Sequence, residues 1–186
     1  MKKHFKKLIV ITFSLILTIS VGCSNSKVTN NKDMDVASKK VINEVISNYI
    51  SNYYSHILTN AAKVFEAHKV YAIEQKDGLA NVYIYTLFEG YIFSNGKFSS
   101  SSSGTNPAFI VLKKDKGKFN VVKFQQPKDG TECEASIKKM FPRKYAKEAM
   151  SDAGRDLELE KQIKLKAKEW LKAQGGYSML EKNKKK

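Results

Sequence analysis

Three observations predict an α+β fold with an N-terminal helix, an antiparallel β-meander of four or five strands and C-terminal helices packed on one face. Apolar residues recur with a helical period between Val41 and Leu58, give way to a strand-forming composition, and return to a helical period after Gly130. The middle stretch is cut by three hairpin signals: Lys76-Asp77-Gly78, Ser94-Asn95-Gly96-Lys97 and Lys114-Asp115-Lys116-Gly117. All links between strands are short, so sequence neighbours pair directly and no crossover helix intervenes.

The chain opens on Met1-Lys2-Lys3-His4-Phe5-Lys6-Lys7, cationic and without an acid, followed by an apolar run from Leu8 to Val21. That run is short of the ~20 residues a spanning helix needs and has the length of an export signal's apolar region. Ser20-Val21-Gly22-Cys23 resembles the lipobox of bacterial lipoproteins, with Ser20 where Leu is usual. The resemblance implies that Cys23 carries the lipid and becomes the new N-terminus. Each buried methylene adds ~0.8 kcal/mol, so two or three acyl chains hold a protein at a membrane without a spanning helix.

The expected division is a lipoprotein signal peptide over 1–22, a flexible tether over 23–34, a single α+β domain over 35–174 and a basic tail over 175–186. Taking Lys2, Lys3, Lys6 and Lys7 from the 33 basic residues leaves 29 against 18 acids, a net charge of +11. With Cys23 occupied, Cys133 has no partner for an internal disulfide and reads as a small buried hydrophobe.

Within the domain, Asp33 or Asp35 caps a helix reaching to about Leu58. Val41, Val45, Tyr49 and Tyr53 form one row at steps of four and Ile42, Ile46, Ile50 and Tyr54 the adjacent row, predicting a wide buried stripe. Strands are predicted over Phe65 to Ile73, Leu79 to Phe93, Phe109 to Leu112 and Phe119 to Phe124. The serine run Ser99 to Gly104 reads either as a ragged edge strand or as a loop. Thr131 and Glu134 have the spacing of a capping box for a short helix that carries Ile137, Met140 and Phe141 and stops at Pro142. A last helical region, interrupted near Gly154, runs from Arg143 to Ala173. Leu157, Ile163, Leu165, Trp170 and Leu171 are its expected packing residues, and its polar side is dense in Lys and Glu.

The inventory for chemistry is thin. His4 leaves with the signal, and His56 and His68 supply at most two imidazoles, short of the three or four ligands of a zinc site. The chain has no His-Glu-x-x-His, Cys-x-x-Cys, Gly-x-Ser-x-Gly or phosphate-cradling glycine loop. No cofactor, metal or catalytic residue is therefore expected, and the chain reads as no enzyme. The rival reading is a small hydrolase with a dyad among Glu66, Glu74 and Glu89, tested at Glu89 and His68; Glu132 and Glu134 read as helix-capping acids. The lysines are spread along the chain, which does not match a nucleic-acid surface. Lys182, Lys184, Lys185 and Lys186 form a polybasic tail suited to anionic lipid or an anionic wall polymer. The alternative is a solvated, lysine-biased surface.

One resemblance covers about Phe65 to Ala173. "DGLANVYIYTLFEGYIFSNGKF" and "PAFIVLKKDKGKFNVVKFQQPKDGTECEASIKKMFPRKY" resemble the extracellular C-terminal region of clostridial and related membrane metallopeptidases of the beta-lactam-sensor family, and small lipoproteins carrying that region alone. The specific elements are the Pro107-Ala108 strand start, Pro127-x-Asp129-Gly130 and Ile137-Lys138-x-Met140-Phe141-Pro142. The family's peptidase and penicillin-acylating parts have no counterpart here. The resemblance implies a free-standing extracytoplasmic accessory or sensing domain of a low-GC Gram-positive bacterium, on the outer face of the cytoplasmic membrane, with a ligand or protein partner of its own. A protective, immunity-type lipoprotein is the third expectation. A cleft around Tyr83, Tyr85 and Tyr91 on an uncovered sheet face would favour ligand binding.

Overall fold

The computed structural model describes residues 29–30, 34–94, 97–152 and 156–175. A two-residue strand, β1 (Thr29–Asn30), precedes helix α1 (Val36–Ser55). Asp35 is the cap: its carboxylate accepts from the Ser38 N–H at 2.8 Å, which satisfies an amide that the helix start leaves without a partner. The Ser38 bonds hold the Asp35 carboxyl below its ordinary value.

Four long strands follow, β2 (Lys63–Lys76), β3 (Leu79–Ser94), β4 (Lys97–Asp115) and β5 (Lys118–Gln125), in one antiparallel sheet of order β1-β2-β3-β4-β5. Asp77 and Gly78 (φ 52° and 76°) and Lys116 and Gly117 (φ 47° and 81°) lie in the left-handed region, the geometry of the tight hairpin turns predicted there. Ser94 pairs with Lys97 as the third hairpin signal requires, although Asn95 and Gly96 themselves lie outside the described residues.

The serine run is not a loop. It is the first half of β4, continuous with Phe109 to Leu112, and pairs with β3 throughout apart from one extra residue at Ser101. The Ser101 hydroxyl donates to the Gly90 carbonyl at 3.0 Å, which anchors that bulge. Because β5 meets β4 only from Phe109 onward, the outer side of the serine run has no strand partner among the described residues. The edge-strand expectation is right, and backbone pairing to a long neighbour overrides the weak strand propensity of serine.

Helices cover both faces of the sheet. On one, Ile42, Ile46, Ile50 and Tyr54 of α1 pack on Val64, Ile73, Val82, Ile84, Ile110 and Leu112. On the other lie α2 (Cys133–Met140), α3 (Arg143–Ser151) and α4 (Leu157–Ala173) over Phe65, Ala72, Tyr83, Tyr85 and Leu87. The C-terminal helices thus share one face as expected, but no face remains uncovered, and Tyr83 and Tyr85 are core residues.

The buried stripes are narrower than predicted. In α1 the isoleucine row is buried; of the adjacent row Val45 and Tyr49 are half-buried against the core, while Val41 and Tyr53 at its ends are exposed. In α4 the buried row is Leu159, Ile163 and Ala167; Leu157 and Leu165 face outward. Thr131 does not act as a cap. A single 3-10 turn (Gly130–Glu132) leads into α2, whose cap position is Glu132 without a side-chain bond. Glu134 instead pairs with Lys138, one turn further along α2, and Glu132 with Lys128 in the segment before the 3-10 turn.

Helix α3 is clamped to β2 through Asp152, whose Oδ2 accepts from Lys69 Nζ at 2.8 Å and Tyr71 OH at 2.7 Å. Burial raises the Asp152 value, but the Lys69 and Tyr71 bonds outweigh it and leave the carboxyl below 3.8. A depressed carboxyl contributes stability that is present above its unfolded value and lost as pH falls through its folded one. Asp152→Asn is expected to cost ~1 kcal/mol at pH 7 and nothing near pH 2, the half-exposed lysine limiting the effect. Urea unfolding at the two pH values checks this.

Candidate functional site

The structure places polar chemistry in two regions, on opposite faces of the sheet. The first lies under α1. Glu66 and His68, two apart on β2, point to the same face because side chains alternate along a strand. Glu66 is 1% exposed. Its Oε1 accepts from His68 Nδ1 at 2.9 Å and Thr86 Oγ1 at 2.9 Å, and its Oε2 from Ser47 Oγ at 2.7 Å. Burial acts to raise the carboxyl's value, but His68 and the hydroxyl donors together hold it below the ordinary glutamate range. His68 Nε2 lies 3.3 Å from Asn43 Oδ1. Oriented by a carboxylate, an imidazole can serve as a base when its other nitrogen meets a nucleophile; here that nitrogen meets an amide, and the side chain is 5% exposed. The network ties α1 to the sheet.

The second region is a cleft of about 660 Å³ between α4 and the lower end of the β3–β4 hairpin. Tyr91 and Phe98 form its floor. The Phe98 ring stacks on Trp170 at 5.2 Å and on Phe93 at 4.6 Å, which fixes the ring plane. Glu89, almost wholly buried, presents its carboxylate at one wall, and the Tyr91 phenol hydrogen-bonds to it. Burial, with Glu89's charge and hydrogen bond behind it, pushes Tyr91 up to about 12, so the phenol stays protonated and donating. The opposite wall is one row of α4 at steps of four, Glu160, Lys164 and Lys168, with Ala167 and Leu171 beside it. Lys164 lies 3.7 Å from Glu160. Ser99 and Ser100 form the rim. The cleft therefore combines a ring surface, carboxylate acceptors and two ammonium donors, a set suited to a ligand that carries both hydroxyl or amine donors and an anionic group.

Residues named from the sequence are distributed as follows. Cys23, Lys182, Lys184, Lys185 and Lys186 lie outside the described residues. Glu66, Glu74 and Glu89 do not meet: Glu66 is under α1, Glu89 is under α4, and Glu74 pairs with Asn81 near the opposite end of the β2–β3 ladder. Glu89 and His68, the two residues named for a hydrolase, are on opposite faces. His56 is exposed at the end of α1, with Nδ1 2.7 Å from the Asn52 carbonyl. Cys133 is half-buried against the α2–α3 cluster. Of the three tyrosines, only Tyr91 lines this cleft. Sequence reading missed Phe98, Glu160, Lys164 and Lys168, although the four-residue spacing of the last three was visible.

Among the described residues, no group of three or more His, Cys, Asp or Glu side chains could hold a metal ion, and no helix is long and apolar enough to cross a membrane. Comparison of the chain with family models, curated proteins and solved structures returns no match.

Proposed function

We propose that this chain is a lipid-anchored extracytoplasmic binding or regulatory module whose ligand occupies the cleft between α4 and the β3–β4 hairpin. The observation that carries the reading is the buried Glu89 carboxylate facing Lys164 and Lys168 across an aromatic floor. Carboxylates and ammoniums gathered on a ring surface select a ligand by paired charges and a stacked face. The export signal and Cys23 support the location, and the resemblance to a sensor-associated region supports a regulatory role. An anionic wall polymer or a peptide fits the cleft's chemistry better than nucleic acid does, because the cleft also carries acids.

The test uses the full chain in its membrane. Wall fragments and membrane proteins retained by the wild-type chain are expected to fall about tenfold with Lys164→Ala/Lys168→Ala, two charge-assisted contacts being removed. Equal retention would remove the cleft from the account. In the same strains Cys23→Ala should abolish incorporation of labelled palmitate, and persistent labelling would refute the anchor alone.

A second reading rests on Glu89 and Glu160 lining the same cleft, since two carboxylates are the usual equipment of acid–base hydrolysis. Turnover of a glycan or ester substrate, lost in Glu89→Gln, would favour it.

A further inference from the structure

We propose that two copies of this chain pair through the edge of β4 that has no strand partner among the described residues, Ser99 to Thr105, as antiparallel strands about a two-fold axis. The sheet's other borders are guarded. Along β2, the stretch from Val64 to Ala67 is buried between α1 and α4, and Lys166 Nζ donates to the outward Glu66 carbonyl at 2.7 Å. β5 carries exposed Lys118 and Lys123, and Tyr49 and Tyr53 of α1 pack on its Phe124. Covering helices and edge lysines are the devices that keep strand edges from pairing.

The serine edge has neither. Ser99 to Ser103 are exposed, and no charged residue occurs from Phe98 to Leu112 in a chain that is 27% charged with a net charge of +15. Its one guard is the bulge at Ser101. Two strongly basic copies repel over most of their surfaces, and this is the stretch where they approach without opposing lysines. Pairing centred on Ser102 sets Ser101 against Ser103, Ser100 against Gly104 and Ser99 against Thr105, so neither bulk nor charge intervenes. The edge offers backbone groups but only small side chains to select a foreign strand, which makes an identical copy the better-matched occupant. A two-fold perpendicular to the sheet keeps both α1 helices on the same side. It leaves the rims of the two clefts, at Ser99 and Ser100, toward opposite ends of the paired strands, so the cleft lysines of the two copies do not face each other.

The experiment is thiol cross-linking of the full chain in membranes, in a Cys133→Ala background, with a short bis-maleimide. Ser102→Cys should give a dimer of this chain, and Asn120→Cys, exposed on β5, should not. Adding Ser100→Lys to Ser102→Cys should cut the yield about tenfold, since it places on the edge the charged side chain that keeps strands from pairing, while leaving the melting temperature unchanged. No dimer, or equal yields from Ser102→Cys and Asn120→Cys, overturns the proposal. A cross-link to a different protein overturns the second copy as occupant.

Discussion

Gly104→Ala is expected to destabilise the protein by ~2–3 kcal/mol, the range for forcing extra volume into a packed site. The usual sign for this change in a strand interior is the reverse, because alanine restricts the unfolded chain more than glycine does. Here an added Cβ would sit 2.4 Å from Phe88 Cζ and 2.9 Å from Phe88 Cε1. The ring has little room to retreat. It is 9% exposed and stacks on Tyr54 with centroids 3.4 Å apart, and the Tyr54 hydroxyl is itself bonded by the Gln126 side chain. Strand glycines beneath an aromatic ring are retained for this close approach. The measurement is the urea midpoint at constant slope. A double-mutant cycle supplies the control: in a Phe88→Ala background, itself ~3 kcal/mol less stable, Gly104→Ala should be close to neutral. Equal costs in both backgrounds would show that Phe88 is not the obstacle.

Glu66→Ala should be costlier still, ~3–5 kcal/mol, because it leaves the buried Thr86 and the part-buried His68 and Ser47 without the acceptor they share. Replacing the pair together, as Glu66→Leu/His68→Leu, should recover part of that loss, since it also removes the imidazole that would otherwise lack its acceptor. The pH dependence has a definite sign. The Glu66 carboxyl is depressed in the folded state, so the unfolded chain takes up the proton first as pH falls below the ordinary glutamate value of 4.5. The wild-type protein should therefore lose stability on descending from pH 5, and this contribution should be missing in Glu66→Leu/His68→Leu. An acid limb of the same steepness in both proteins would mean that other carboxylates set it.

The elements were legible because they rest on local signals. Asp77-Gly78 and Lys116-Gly117 adopt the left-handed turn geometry their composition called for, and Asp35 caps α1 through its own side chain. Where a prediction needed a partner's position, it failed or stayed open. Thr131 and Glu134 had the spacing of a capping box, yet Glu134 turned to Lys138, because an ion pair one turn away on the same helix competes for the same carboxylate. Leu157 and Leu165 matched a helical apolar pattern, yet the sheet accepted the neighbouring row of Leu159, Ile163 and Ala167.

The candidate cleft divides in the same way. Glu160, Lys164 and Lys168 lie on one helix row by spacing alone, but no local signal says that this row faces Tyr91 and Phe98. Glu66 and His68 share a face by strand alternation, but only the crossing of α1 brings Ser47 and Asn43 to them.

By itself, then, the sequence determined the order and type of the elements, their turns and the α+β class, because periodicity, turn residues and caps act within a few positions of the chain. The tertiary structure alone decided that both faces of the sheet are covered, that the serine run is a strand whose outer side has no strand partner among the described residues, and which acids are buried and which line a cleft. Those outcomes depend on contacts between residues tens of positions apart, where the free energy comes from burial against a particular surface, and no short window of sequence carries that surface.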